Sequence, residues 1–130
     1  MADAKTILLV DDDRDILGNL QSVLEAKGYR VLTAPDGDAG LALAKSARCD
    51  VIVVDMMMPK KSGFLVLDSL KSRGPASPKV IMMTANTGAR HRAYAEMLGV
   101  DDYLRKPFGM DQFLASVARL CAPAHESKLD

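Results

Sequence analysis

Three aspartates stand in a row at Asp11, Asp12 and Asp13, directly after the apolar run ILLV. A fourth, Asp55, follows the equally apolar VIVV; Thr84 follows VIMM; Lys106 precedes Pro107. Carboxylates, a hydroxyl and an ammonium are the parts that phosphoryl transfer requires: a nucleophile, neutralisation of charge, and donors to the phosphoryl oxygens. Asp55 is the candidate nucleophile, which would give an acyl phosphate. Lys106 and a divalent cation would stabilise the equatorial oxygens, and the Thr84 hydroxyl would hydrogen-bond one of them. Crowded carboxylates repel, by roughly 1 kcal/mol per pair at 4 Å in water and about 4 kcal/mol at an effective dielectric of 20. Either one pKa rises or a hard cation neutralises the group. One or two carboxylates with open water positions suit Mg²⁺, completed by substrate phosphate.

These residues work together only if the chain positions them together. Short apolar runs at Thr6–Val10, Arg30–Ala34, Val51–Val54 and Lys79–Met83, with a weaker one at Asp101–Leu104, read as strands. Three are almost uninterrupted, as expected of parallel strands covered on both faces. Amphipathic stretches lie between them. Ile16, Leu17, Leu20, Val23 and Leu24 share one helical face before Gly28. Asp36 and Ser62 stand as caps ahead of a second and third helix, with Leu67 and Leu70 on the face of the third. A fourth helix is expected over about Gly88–Leu98. A fifth starts at Gly109, carries Phe113, Leu114, Val117, Leu120 and Cys121, and ends before Pro123. Five βα units imply a doubly wound parallel sheet with right-handed crossovers. In such a sheet ligands bind beyond the carboxyl ends of the strands, where strands 1, 3, 4 and 5 carry Asp11–Asp13, Asp55, Thr84 and Lys106. Only strand 2 ends without chemistry. Asp13 is the residue expected to cap the first helix.

Composition narrows the function classes. The 130 residues suit one domain and leave no room for separate cofactor and substrate domains. Aromatic residues are 5% and Trp is absent, so stacking platforms for single-stranded nucleic acid are scarce. Seventeen basic residues balance 17 acidic ones, which removes the electrostatic footprint expected for nucleic acid or an anionic membrane. No apolar run approaches the roughly 20 residues of a membrane span, and MADAKT lacks a signal-peptide apolar stretch. Cys49 and Cys121 have no metal-ligand spacing and read as core thiols of a reducing, cytoplasmic compartment. Met56, Met57 and Met58 read as packing residues rather than soft-metal ligands. Arg90, His91 and Arg92 read as a solvated helix face.

The segments ILLVDDDRDI (7–16), VIVVDMMMPKKSG (51–63), VIMMTA (80–85) and DDYLRKPF (101–108) resemble the receiver domain of two-component response regulators, the fold shared by the bacterial chemotaxis regulator. The resemblance covers about residues 5–121, and four motifs in order, each at a strand end, make it specific. It implies a flavodoxin-like (βα)5 sheet in the order 2-1-3-4-5, with residues 1–122 as the receiver domain and 123–130 as a polar tail. It implies that Asp55 is the phosphoacceptor. Asp12 aligns with the direct Mg²⁺ ligand, Asp11 with the ligand that acts through water, and the Met57 backbone carbonyl with the third protein ligand; Mn²⁺ would substitute. Thr84 aligns with the switch hydroxyl, Tyr103 with the switch aromatic, and Lys106 with the family lysine. Lys106-Pro107 is expected to be cis. Met57 and Asn86 occupy the two positions associated with tuning of dephosphorylation, and the bulk of Met57 is expected to prolong the phosphorylated state. The implied phosphodonor is a sensor histidine kinase or a histidine phosphotransfer protein. The implied output is a change of the surface made by helix 4, strand 5 and helix 5, with a phosphorylation-dependent homodimer as one form of it and the downstream effector unspecified.

Two other classes use similar residues. A haloacid-dehalogenase-like phosphatase also has an Asp nucleophile with Mg²⁺, but needs a second acid two residues later, where this chain has Met57, and a cap domain. A docking module would leave the acidic pocket unused.

Overall fold

A computed structural model describes residues 4–58, 61–74, 77–85 and 88–122. Five strands, β1 (Thr6–Val10), β2 (Arg30–Ala34), β3 (Val51–Asp55), β4 (Lys79–Thr84) and β5 (Asp102–Arg105), alternate with five helices, α1 (Arg14–Ala26), α2 (Gly37–Ser46), α3 (Gly63–Lys71), α4 (Ala89–Met97) and α5 (Met110–Cys121). The sheet is wholly parallel and has the order β2-β1-β3-β4-β5. The chain is thus the doubly wound α/β fold that its alternating pattern predicts.

Strand periodicity sorts the apolar residues onto two faces. Ile7, Leu9, Val51, Val53, Ile81 and Met83 pack against Leu17, Leu20 and Leu24 of α1 and Phe113 and Val117 of α5. Leu8, Val10, Ile52, Val54, Val80 and Met82 pack against Val66, Leu67 and Leu70 of α3, Ala44 of α2 and Ala95 of α4. All twelve strand residues are essentially without solvent contact. Each fully buried aliphatic side chain contributes roughly 1.5–3 kcal/mol. Twelve of them outweigh the few kcal/mol of repulsion that the acidic strand ends carry, so the core dictates where those acids sit.

Local signals set the helix starts. The Asp13 carboxylate accepts the amides of Asp15 and Ile16, Asp36 accepts that of Ala39 at 2.8 Å, and the Ser62 hydroxyl accepts that of Leu65. Gly28 takes φ +94° just after α1, a conformation in which a side chain would be strained. Two strands run one residue further than their apolar runs: β3 includes Asp55 and β4 includes Thr84. Both residues are therefore held by the sheet itself rather than by a following loop. β5 starts one residue later than expected, because Asp101 turns its side chain back to accept the Val80 amide at 2.8 Å.

The cysteines are half-buried at the amino-terminal edge, Cys49 packed against one core cluster and Cys121 against the other. Burial raises both thiol pKa values, that of Cys121 to about 11, which favours the protonated thiol over the thiolate. His91 departs from the expected solvated face. It is half-buried and stacks on Phe64 of α3, with ring centroids 6.0 Å apart, while Arg90 and Arg92 remain exposed.

Candidate functional site

The carboxyl rim of the sheet gathers the acids from two adjacent strands. The β1 and β3 registers align Val10 with Val54, so the residues that follow, Asp11 and Asp55, emerge side by side. Asp11 and Asp55 are buried, with 1% and 6% exposure, whereas Asp12 is exposed. One carboxylate oxygen from each of the three lies within 4.8 Å of the others. Asp11 is further fixed because its Oδ1 accepts the Asp13 amide at 3.0 Å and its own amide donates to the Ala34 carbonyl. Asp13 turns away to cap α1, which leaves three acids rather than four in the cluster.

Lys106 arrives from the far side. Its Nζ lies 2.9 Å from Asp55 Oδ1 and 3.1 Å from Asp11 Oδ2, bridging the two buried carboxylates. The Lys106-Pro107 peptide is cis, as expected, and the Lys106 amide donates to the Thr84 carbonyl at 2.6 Å. That bond ties the lysine to the end of β4. Thr84 itself is fully buried in the strand next to Asp55, since β3 and β4 align Asp55 with Met83.

The charges are unequal in environment. Burial pushes the Asp55 carboxyl above its ordinary range, the Lys106 ammonium pulls it down, and Asp11 and Asp12 push it up again; the net direction is up. Burial lowers the Lys106 pKa, but its contacts with Asp55 and Asp11 outweigh that and hold the ammonium charged. Among the described residues Lys106 thus bridges two of the three clustered carboxylates, leaving an excess of negative charge. A set of three hard oxygen donors, one of them open to solvent, fits a small divalent cation of the magnesium class.

Tyr103 is half-buried on β5. Its hydroxyl donates to the Met56 thioether, 3.9 Å away, and the Arg92 guanidinium lies 5.6 Å from its ring centroid. Met56 is fully buried immediately after Asp55, so the aromatic touches the backbone neighbour of the candidate phosphoacceptor. Met57 is 65% exposed, unlike the packing role read for the Met56–Met58 run as a whole. Asn86 and the tail 123–130 lie outside the described residues.

Sequence reasoning passed over Gly63. Its amide donates to the Met56 carbonyl at 2.9 Å, and a Cβ there would collide with the Asp55 carbonyl oxygen and sit 2.8 Å from Met56 Cα. Only glycine lets the start of α3 close against the strand end that carries Asp55. The signal was present, a glycine directly after the Ser62 cap, but its partner is eight residues away and invisible to local pattern.

Comparison with known proteins agrees with this arrangement. The model of the response regulator receiver domain matches residues 7–118. The transcriptional regulatory protein CpxR of Klebsiella pneumoniae is 40% identical over 123 residues, covering 94% of this chain and 51% of its own. The alkaline phosphatase synthesis transcriptional regulatory protein PhoP of Bacillus subtilis is 37% identical over 132 residues, covering 97% and 55%. The chain spans about half the length of these curated relatives. Among solved structures, the chemotaxis protein CheY4 of Vibrio cholerae superposes with a TM-score of 0.84 at 30% identity, covering 91% of this chain and 99% of that one. A receiver domain from Clostridium thermocellum superposes with a TM-score of 0.84 at 31% identity, covering 96% and 98%.

Proposed function

This chain belongs to the receiver domains of two-component response regulators, and from that premise we propose that it is a phosphoacceptor switch whose acceptor is Asp55. The observation that carries the reading is the bridge of Lys106 Nζ to Asp55 Oδ1 and Asp11 Oδ2 beside a third carboxylate. The phosphodonor is a phosphohistidine on a sensor kinase or a histidine phosphotransfer protein. The free Asp55 oxygen attacks phosphorus, the P–N bond breaks, and its electron pair leaves on the imidazole nitrogen, which takes up a proton. An acyl phosphate remains on Asp55.

Asp11, Asp12 and Asp55, with the Met57 backbone carbonyl, would hold Mg²⁺ or Mn²⁺. When bound, that ion supplies charge neutralisation for the phosphoryl oxygens. Lys106 keeps Asp55 oriented before transfer and afterwards holds a phosphoryl oxygen. The Thr84 hydroxyl, one residue beyond the β4 partner of Asp55, takes another. Phosphorylation adds about −1.5 to −2 charge at pH 7, which draws Thr84 and the following loop inward and shifts the packing of Tyr103 against Met56. Both conformations pre-exist, and the phosphate shifts their populations. The output is the α4–β5–α5 surface. No turnover reaction and no nucleic-acid contact by this domain are part of the proposal; the zero net charge supports the latter.

Incubation with acetyl phosphate and Mg²⁺, followed by intact mass and by assay of released phosphate, tests it. A switch gains one phosphoryl group per chain and releases phosphate slowly. Rapid continuous release would favour the phosphatase reading, and an unchanged mass would favour the docking module.

A further inference from the structure

The opposite rim of the sheet carries the reverse charge. Lys5 precedes β1, Arg30 opens β2, Lys79 opens β4, and Arg48 lies just before β3. The starts of these strands are pinned together by backbone bonds: the Arg30 amide donates to the Lys5 carbonyl, that of Asp50 to Thr6, and that of Lys79 to Asp50. Adjacent strands lie about 4.8 Å apart, so the cations form a row across the sheet edge. Three other cations on this side are committed. Lys71 pairs with Asp101 at 2.7 Å, Arg119 with Asp102 at 3.1 Å, and Arg73 donates to the Ala44 carbonyl. Lys5, Arg30, Arg48 and Lys79 have no ion pair or side-chain hydrogen bond among the described residues.

Lys5, Arg30 and Arg48 ring a cavity of about 480 Å³ with Leu32 and Ala47 as its apolar wall. Lys5 and Arg48 also line a neighbouring cavity of about 550 Å³ that reaches Lys79. Asp50 is the acid shared by both, and its carboxylate already accepts the Thr6 amide at 2.8 Å. We propose that the cavity ringed by Lys5, Arg30 and Arg48 is a binding site for a short phosphate chain, free or at the end of a nucleotide.

Three cationic residues line a volume suited to a small ligand. A di- or triphosphate places several charges and many acceptor oxygens in that volume. Guanidinium groups, two of them here, match phosphate oxygens in bidentate fashion. An acidic peptide brings only one carboxylate per flexible side chain and loses more freedom on binding. Two features oppose any anion: the Asp50 carboxylate and the carboxyl end of α2, which reaches Ala47. The first is one charge against three, and the second a partial charge. The site lies at the far end of the sheet from Asp55, so it stands or falls independently of the proposed phosphoacceptor.

Titration of the ¹⁵N-labelled chain with tripolyphosphate, with ATP and with a tetra-aspartate peptide tests it, without Mg²⁺ and at about 0.15 M salt. Saturable amide shifts confined to the surroundings of Lys5, Arg30 and Arg48 are expected for both phosphate probes. Equal affinity for the two identifies a chain-only site, and tighter ATP binding adds contact of the nucleoside with the Leu32 wall. Arg48→Ala and Arg30→Ala, both near the surface, should each weaken binding about tenfold, while Arg105→Ala on the opposite rim should not. The proposal is overturned if no saturable binding occurs, if Arg48→Ala binds as well as the parent chain, or if the aspartate peptide binds as tightly.

Discussion

Three aspartates at one rim of the sheet and three at the other are treated by the structure in opposite ways. At the amino-terminal rim Asp50, Asp101 and Asp102 each have their own partners. Asp50 accepts the Thr6 amide; Asp101 accepts the Val80 amide and pairs with Lys71; Asp102 receives the Ser116 hydroxyl, the Tyr103 amide and the Arg119 guanidinium. At the carboxyl rim Asp11, Asp12 and Asp55 crowd together, and one ammonium, that of Lys106, bridges only Asp11 and Asp55. The pKa directions follow. Burial would raise Asp102, but its hydrogen bonds and Arg119 overcome that and lower it, whereas Asp55 is raised. Acids with complementary partners stabilise a fold. Acids kept short of partners carry a cost that the core beneath them offsets, and the proposed function supplies the ligand that would relieve it.

The largest effect that would sharpen this contrast is kinetic. Lys106→Met removes the ammonium that bridges Asp55 and Asp11, and the rate of phosphorylation by acetyl phosphate should fall on the order of 10²-fold. Mass-resolved time courses read it, and a change under threefold would show the ammonium to be structural.

The next effect is in stability. Asp101→Ala removes the carboxylate that accepts the Val80 amide and leaves the half-buried Lys71 ammonium with the Pro78 carbonyl alone, and should cost about 2 kcal/mol in urea unfolding. Asp12→Ala at the other rim should leave the metal-free protein unchanged or up to ~1 kcal/mol more stable, because repulsion is relieved, and should abolish stabilisation by Mg²⁺. A clear loss of metal-free stability in Asp12→Ala would contradict the repulsion account.

Much of this contrast could be read in the sequence for one rim only. Asp11, Asp12, Asp55, Thr84 and Lys106 each end an apolar run, so parallel strands alone bring them together. Asp13, Asp36 and Ser62 act on amides two or three residues away, within reach of local pattern. Asp50, Asp101 and Asp102 act across the chain, as when Asp50 meets Thr6 at a separation of 44 residues. Nothing local distinguishes them from loop acids. The stacking of His91 on Phe64 and the contact of Tyr103 with Met56 were hidden for the same reason: two elements had to pack before either existed.

The pH dependence separates the rims by sign. Asp102 is lowered, so its contribution is present above the ordinary aspartate value of 3.8 and is lost as pH falls through its lower folded value. Asp55 is raised, so its contribution is greatest below 3.8 and is lost as pH rises through its higher folded value. Unfolding free energies from pH 3 to 7 should therefore show Asp102→Asn losing ground to the parent chain as pH rises and Asp55→Asn gaining it. Parallel curves for the two variants would erase the distinction. The smallest expected effect is on lifetime. Met57→Asn replaces an exposed apolar side chain two residues from Asp55 and should speed loss of the phosphoryl group severalfold; an unchanged decay would reject hindrance by this residue.

The central claim is that the underpartnered rim exists to receive a phosphoryl group on one particular oxygen acid. Treatment with acetyl phosphate and Mg²⁺, then borohydride, converts an acyl phosphate to the alcohol, and tandem mass spectrometry locates it. The account predicts conversion of Asp55 to homoserine, dependent on Mg²⁺ and absent from untreated protein. Conversion at another aspartate, or at none, would contradict it.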